Sequence, residues 1–185
     1  MKKTYLAAGE YMHDIWRLAA QIRGGGWRPD ILIGLWRGGA PAAIAVHEFL
    51  KVSGWNVAHM PLKSVSYTGI GQSGEVEFPG GETVFGALRP GVRVLFVDDV
   101  FDTGKTTVAV MDEMSRLGVE ARLACVYWKS CANTTSLKPD YFVRDTGGDW
   151  IVFPHEIEGL SPDEIREKDP LLAELVASDL CAAEA

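Results

Sequence analysis

Three acids, two threonines and a lysine fall within nine residues of this chain, Asp98-Asp99-Val100-Phe101-Asp102-Thr103-Gly104-Lys105-Thr106. A small polar turn that opens a helical pattern offers unpaired amides, hydroxyls and one ammonium group, the setting that favours a bound anion. The turn therefore reads as a phosphate site. The carboxylates beside it would repel a bare phosphate and need other partners: sugar hydroxyls, or a Mg²⁺ that shares the substrate's charge. A phosphorylated sugar satisfies both halves. Arg37-Gly38-Gly39 repeats the theme, a fixed positive charge beside a backbone that can approach a ligand closely. Lys129 supplies a further cation at the end of the apolar run Arg122–Trp128.

Each group follows a segment able to position it. Val94–Val97 and Ile31–Leu35 are apolar runs that suit strands buried on both faces of a parallel sheet. Their polar followers then lie at carboxyl ends, where open α/β sheets bind ligands. Helices are predicted from about Ala8 to Arg23 (Tyr11, Ile15, Leu18, Ile22 on one face), from Pro41 in a first turn to Ser53-Gly54, and through Val110, Met114 and Leu117 to Gly118. Trp55–Met60 and Arg122–Trp128 add strands, while Tyr141–Val143 and Trp150–Phe153 read as strands outside the main pattern. Ser161-Pro162-Asp163-Glu164 is a capping box, and Asp169-Pro170 starts a second tail helix. The fold expected is α/β, a parallel sheet of about five strands flanked by helices, in one domain over 1–185. Its core runs to about 138, with a small hood and tail from about 139.

Other readings fail on particular residues. A Walker A loop needs a glycine five positions before Gly104, where Asp99 stands. Gly69-Ile70-Gly71-Gln72-Ser73-Gly74 spells a dinucleotide fingerprint, but no buried strand leads into it and no helix is predicted after it. The stretch Gly69–Gly91 reads instead as one long loop, with two alternatives open: a functional lid or a polar surface hairpin. A formal net charge of −7 argues against a nucleic-acid surface. Three cysteines without paired spacing and the absence of an apolar leader or spanning run predict a reducing cytoplasm and no membrane. Asn133-Thr134-Thr135 matches a glycosylation acceptor, which carries no weight there, and the four histidines have no ligand spacing.

Leu95 to Thr106 resembles the phosphoribosyl-pyrophosphate motif of the type I phosphoribosyltransferases, and Leu35 to Pro41 resembles their pyrophosphate loop. The resemblance spans roughly Ile31–Glu156. It implies that Asp98 and Asp99 hold ribose hydroxyls and, directly or indirectly, Mg²⁺, and that Asp102, Thr103, Gly104, Lys105 and Thr106 hold the 5′-phosphate. Asp102 would also accept a proton from the incoming base, and Arg37, Gly38 and Gly39 would bind pyrophosphate. Ser66 and Tyr67 resemble the start of the mobile active-site loop. Val126–Lys129 and Asp149–Pro154 are most similar to the xanthine-guanine and hypoxanthine-guanine enzymes, which implies a base site of Lys129, Trp150 and the Ile151 backbone. His155 stands where many relatives have another aromatic. The expected substrates are phosphoribosyl pyrophosphate and a 6-oxopurine, and the expected assembly is a homo-oligomer. The alternatives are the same transfer to uracil or adenine, and a regulatory protein of this fold that senses nucleotides.

Overall fold

The computed structural model describes residues 3–66 and 76–183, which form two compact units, one within 12–149 and a second built from the two ends, 3–11 with 150–183. The larger unit holds a five-stranded, wholly parallel sheet. Its strands are β2 (Ile31–Trp36), β3 (Ala58–Lys63), β6 (Arg93–Phe101), β7 (Glu120–Trp128) and β8 (Tyr141–Asp145), in spatial order β3-β2-β6-β7-β8. From β2 the chain passes outward to β3 and later returns to the other side of β2 as β6. Neighbouring strands β2 and β6 thus flank the point where the winding reverses, the position at which a crevice opens at the carboxyl edge of such sheets.

The apolar runs make the centre of the sheet. Val94, Leu95, Phe96 and Val97 are fully buried, as are Ile33, Ala124, Cys125 and Val126 on either side. Helix α2 (Gly39–Val52) follows β2 and buries Ala42, Ala43, Val46 and Leu50. It lies so close to β2 that a Cβ at Gly34 would come within 2.7 Å of the Ala43 methyl. Helix α4 (Lys105–Leu117) connects β6 to β7 and buries Val110 and Met114. It ends at Gly118, in the left-handed conformation with amide bonds back to Met114 and Ser115. Helix α1 (Ala8–Gly24) buries Ile15, Leu18, Ala19 and Ile22. Its Asp14 is fully buried and accepts from the Tyr127 hydroxyl (2.8 Å), from Arg17 (2.7 Å) and from Arg144 (2.6 Å).

Several boundaries differ from the sequence expectation. Strand β3 starts at Ala58, three residues later than Trp55, and carries Pro61, which an edge strand accepts because a missing amide costs no central ladder bond. Tyr141–Asp145 is the far edge of the main sheet and not an outlying strand. The Gly69–Gly91 stretch is not one loop. β4 (Val65–Ser66) pairs antiparallel with β5 (Val76–Glu77), and α3 (Gly81–Ala87) follows, so the lid expected there rests on residues outside those described.

In the smaller unit β1 (Lys3–Tyr5), unforeseen in the sequence, pairs parallel with β9 (Trp150–Val152). Helix α5 (Pro162–Lys168) begins with the expected Ser161/Glu164 capping box, and α6 (Pro170–Ala183) follows. Lys168 Nζ donates to the Phe153 carbonyl at 2.7 Å, tying α5 to the segment after β9. Among the described residues no helix is long and apolar enough to cross a membrane.

Candidate active site

Asp98 and Asp99 lie within β6 and not in a loop after it. The strand runs on to Phe101 because the nine-residue β7 provides a partner along that length, pairing Asp98 with Cys125 and Phe101 with Trp128. Both carboxylates bond locally: Asp98 Oδ1 accepts from the Asp99 amide (2.9 Å) and Asp99 Oδ1 from the Val100 amide (2.8 Å). Burial, then the like charge of Asp99, pushes the Asp98 carboxyl well above the usual carboxylate range. Burial also raises the Cys125 thiol, and Asp98 adds to it. Such a pair sits badly with its own charge and gains from a ligand that donates hydroxyls or brings a cation.

The loop after β2 explains its own glycines. A Cβ on Gly38 would lie 2.2 Å from Asp99 Oδ2, and one on Gly39 would lie 2.5 Å from the Val97 carbonyl and 2.8 Å from Asp98 Cα. Only residues without side chains let this backbone rest against the acid pair. The exposed Arg37 directly precedes these glycines, after a cis Trp36–Arg37 peptide bond. The sequence motifs from β2 and β6, about sixty residues apart in the chain, are therefore one site.

Past β6 the chain reaches Asp102, then turns through Gly104 (φ +82°) into α4. Among the described residues no side chain caps this helix start, so its first amides remain available to an anion. Lys129, carried by the end of β7, is buried, and its Nζ donates to Asp102 Oδ2 at 2.9 Å. The expected base-contacting lysine and the expected proton acceptor thus touch each other. Trp150 and Ile151 lie on β9 in the other unit, Trp150 half exposed. Ser66 ends β4, and Tyr67 lies outside the described residues.

Two further features adjoin these motifs. Lys63, at the carboxyl end of β3 opposite Trp36, lines a cavity of about 390 Å³ with Trp36, Pro61, Leu62, Pro79, Gly80 and Val84. Ending that strand at Met60 hid it. Asn133-Thr134-Thr135 packs directly on the Thr103-Gly104 turn, a relation with no signal in sequence spacing.

Residues 2–161 match the family described as the phosphoribosyl transferase domain. The chain belongs to the phosphoribosyltransferase family. A purine phosphoribosyltransferase of Pyrococcus horikoshii shares 30% identity with a TM-score of 0.67, over 87% of this chain and 98% of that one. A Neisseria gonorrhoeae protein solved with bound ppGpp superposes with a TM-score of 0.74 at 21% identity, over 94% and 97% of the two chains, a likeness of fold. An adenine phosphoribosyltransferase of Albidiferax ferrireducens is 33% identical over 100 residues, 50% of this chain and 48% of the relative. The match thus spans about half the length of that curated relative. The β2 loop, the acid pair and the α4 start lie along one carboxyl edge of the parallel sheet.

Proposed function

We propose that this phosphoribosyltransferase-family chain transfers the phosphoribosyl group of phosphoribosyl pyrophosphate to a 6-oxopurine, yielding a nucleoside monophosphate and pyrophosphate. The observation that carries the reading is the buried Lys129 paired with Asp102 beside the open start of α4. It supports a reading in which Lys129 donates to an exocyclic oxygen and Asp102 accepts a base proton beside the phosphate loop.

Cleaving the anomeric bond leaves positive charge on the ribose and negative charge on the departing pyrophosphate, so stabilising both dominates the barrier. Asp98 and Asp99 hold the ribose hydroxyls and keep anionic groups close to the developing cation. Arg37, with the Gly38 and Gly39 backbone, receives the pyrophosphate. Thr103, Gly104, Lys105 and Thr106 anchor the 5′-phosphate, which fixes the anomeric carbon relative to the incoming base. Asp102 takes the base proton as the new bond forms, and Lys129 holds the carboxylate in place while donating to the 6-oxo group. The resemblance to the family assigns Trp150 and the Ile151 backbone to the base.

Among the described residues no group of three or more His, Cys, Asp and Glu side chains could hold a metal. A pair of carboxylates is nevertheless a fitting donor set for Mg²⁺, which takes one or two from the protein and completes its octahedron with water and substrate oxygens. Asp98 and Asp99 would hold it, and it supplies charge neutralisation to the pyrophosphate.

Pyrophosphate release measured against guanine, hypoxanthine, xanthine, adenine and uracil, with and without Mg²⁺, tests the assignment. Guanine is expected first and adenine last. Lysine has donors only, and burying two donors against adenine's amino group costs about 1–3 kcal/mol or more. Efficient use of adenine with guanine ignored would overturn the base assignment and leave the phosphoribosyl half standing. No release with any base would overturn both.

A further inference from the structure

The turn after β7 touches the phosphate loop at Asp102, Thr103 and Gly104. Thr134 donates twice to the Thr103 carbonyl, from its amide (3.1 Å) and from its hydroxyl (3.0 Å). In a planar trans peptide the carbonyl and the following amide point opposite ways, so holding the Thr103 carbonyl turns the Gly104 N–H away from this turn. Gly104 is seated against the same residues: a Cβ there would lie 2.7 Å from Thr135 Oγ1 and 3.0 Å from Asn133 Oδ1. Both the left-handed φ and this contact therefore require glycine.

Asn133 makes the turn rigid before it meets the loop. Its Oδ1 accepts from the Thr135 amide and hydroxyl, both at 2.9 Å, and its Nδ2 donates to the Leu137 carbonyl at 2.7 Å. The Ala132 and Asn133 amides hang from the Lys129 carbonyl (3.0 and 3.2 Å), while Lys129 Nζ reaches Asp102. The seven residues from Lys129 to Thr135 thus grip Asp102, Thr103 and Gly104 in succession. The grip on Thr103 and Gly104 uses uncharged groups only, and it leaves the first amides of α4 free for a ligand.

We propose that Asn133, Thr134 and Thr135 are positioning residues for the 5′-phosphate: they hold the Thr103–Gly104 turn in its binding conformation before any ligand arrives. The proposal rests on the phosphate reading given above. It gives the Asn-Thr-Thr triplet a function inside the site and ties the base-contacting Lys129 to the phosphate loop through one short turn.

The test uses the full chain, with binding of ribose 5-phosphate and of inorganic pyrophosphate, each with Mg²⁺, measured by calorimetry. Asn133→Ala should weaken ribose 5-phosphate by about 10-fold or more, the loss expected from one or two hydrogen bonds. Thr134→Val should weaken it by about 3- to 10-fold, the value of one hydroxyl bond. Pyrophosphate, which binds at Arg37, should change less than about 2-fold in both by the additivity of distant sites. In turnover the KM for phosphoribosyl pyrophosphate should rise while the KM for the base stays put. Equal losses for the two probes, or none in either variant, would overturn the positioning role. If Asn133→Ala does not fold, Thr134→Val decides alone. Failure of the unmodified chain to bind ribose 5-phosphate would instead sink the phosphate reading, and this proposal with it.

Discussion

Asp102→Asn separates chemistry from architecture. The substitution keeps the shape of the side chain and an oxygen that can still accept from Lys129 Nζ, now 2.9 Å from Asp102 Oδ2. What it removes is charge and basicity. A hydrogen bond to a charged partner contributes about 1.5–3 kcal/mol. With the Lys129 side chain 9% exposed but that of Asp102 43% exposed, screening by water puts this pair at the lower end. At about 2–4 °C per kcal/mol for a chain of this size, melting should fall by only about 3–6 °C. Losing a proton-transfer group, by contrast, costs about 10²–10⁴ in rate, or about 2.7–5.4 kcal/mol of barrier. Turnover followed by pyrophosphate release with guanine, beside a thermal melt of the same preparation, should therefore show a rate collapse in a folded protein. Turnover within a few-fold of the parent would remove Asp102 from the proton transfer. A parallel collapse of melting would make its role structural.

Gly38→Ala should abolish pyrophosphate binding in calorimetry, because its Cβ would be driven to 2.2 Å from Asp99 Oδ2; undiminished binding would show that the loop does not need to rest on the acids. Asp98→Asn should melt higher than the parent at neutral pH while losing turnover. A raised carboxyl pKa means the penalty is absent below the usual carboxylate value of about 3.9 and grows as pH rises toward the raised value. The gap in melting temperature should accordingly close in acid, and a gap that widens there would reverse the sign. Asp14→Ala removes the acceptor of the buried Tyr127 hydroxyl and should cost about 1–3 kcal/mol, or about 2–12 °C of melting. Burial raises this carboxyl, but Arg144, Tyr127 and Arg17 outweigh it and hold it below its ordinary value. Its contribution is present above about pH 4 and is lost as the pH falls through the lowered value, so parent and variant should converge in strong acid.

By itself the sequence determined the strands that carry the chemistry and the family of the motif they present. Val94–Val97 and Ile31–Leu35 could be read because a run buried on both faces must be apolar throughout, whatever packs on it. Gly38, Gly39 and Gly104 could be marked because close approach and positive φ are written in residue type. The Ser161 capping box is likewise local, satisfied within one helical turn. Partners distant in sequence were another matter. Where β6 ends depends on the length of β7 beside it, whether Pro61 can sit in a strand depends on β3 being an edge, and Tyr141–Asp145 joins the main sheet through a pairing its own residues do not announce. The ion pair of Lys129 with Asp102 and the grip of Asn133, Thr134 and Thr135 on the phosphate loop join residues about thirty positions apart. Side-chain types state what each group can donate or accept, but only the folded chain brings donor and acceptor within reach.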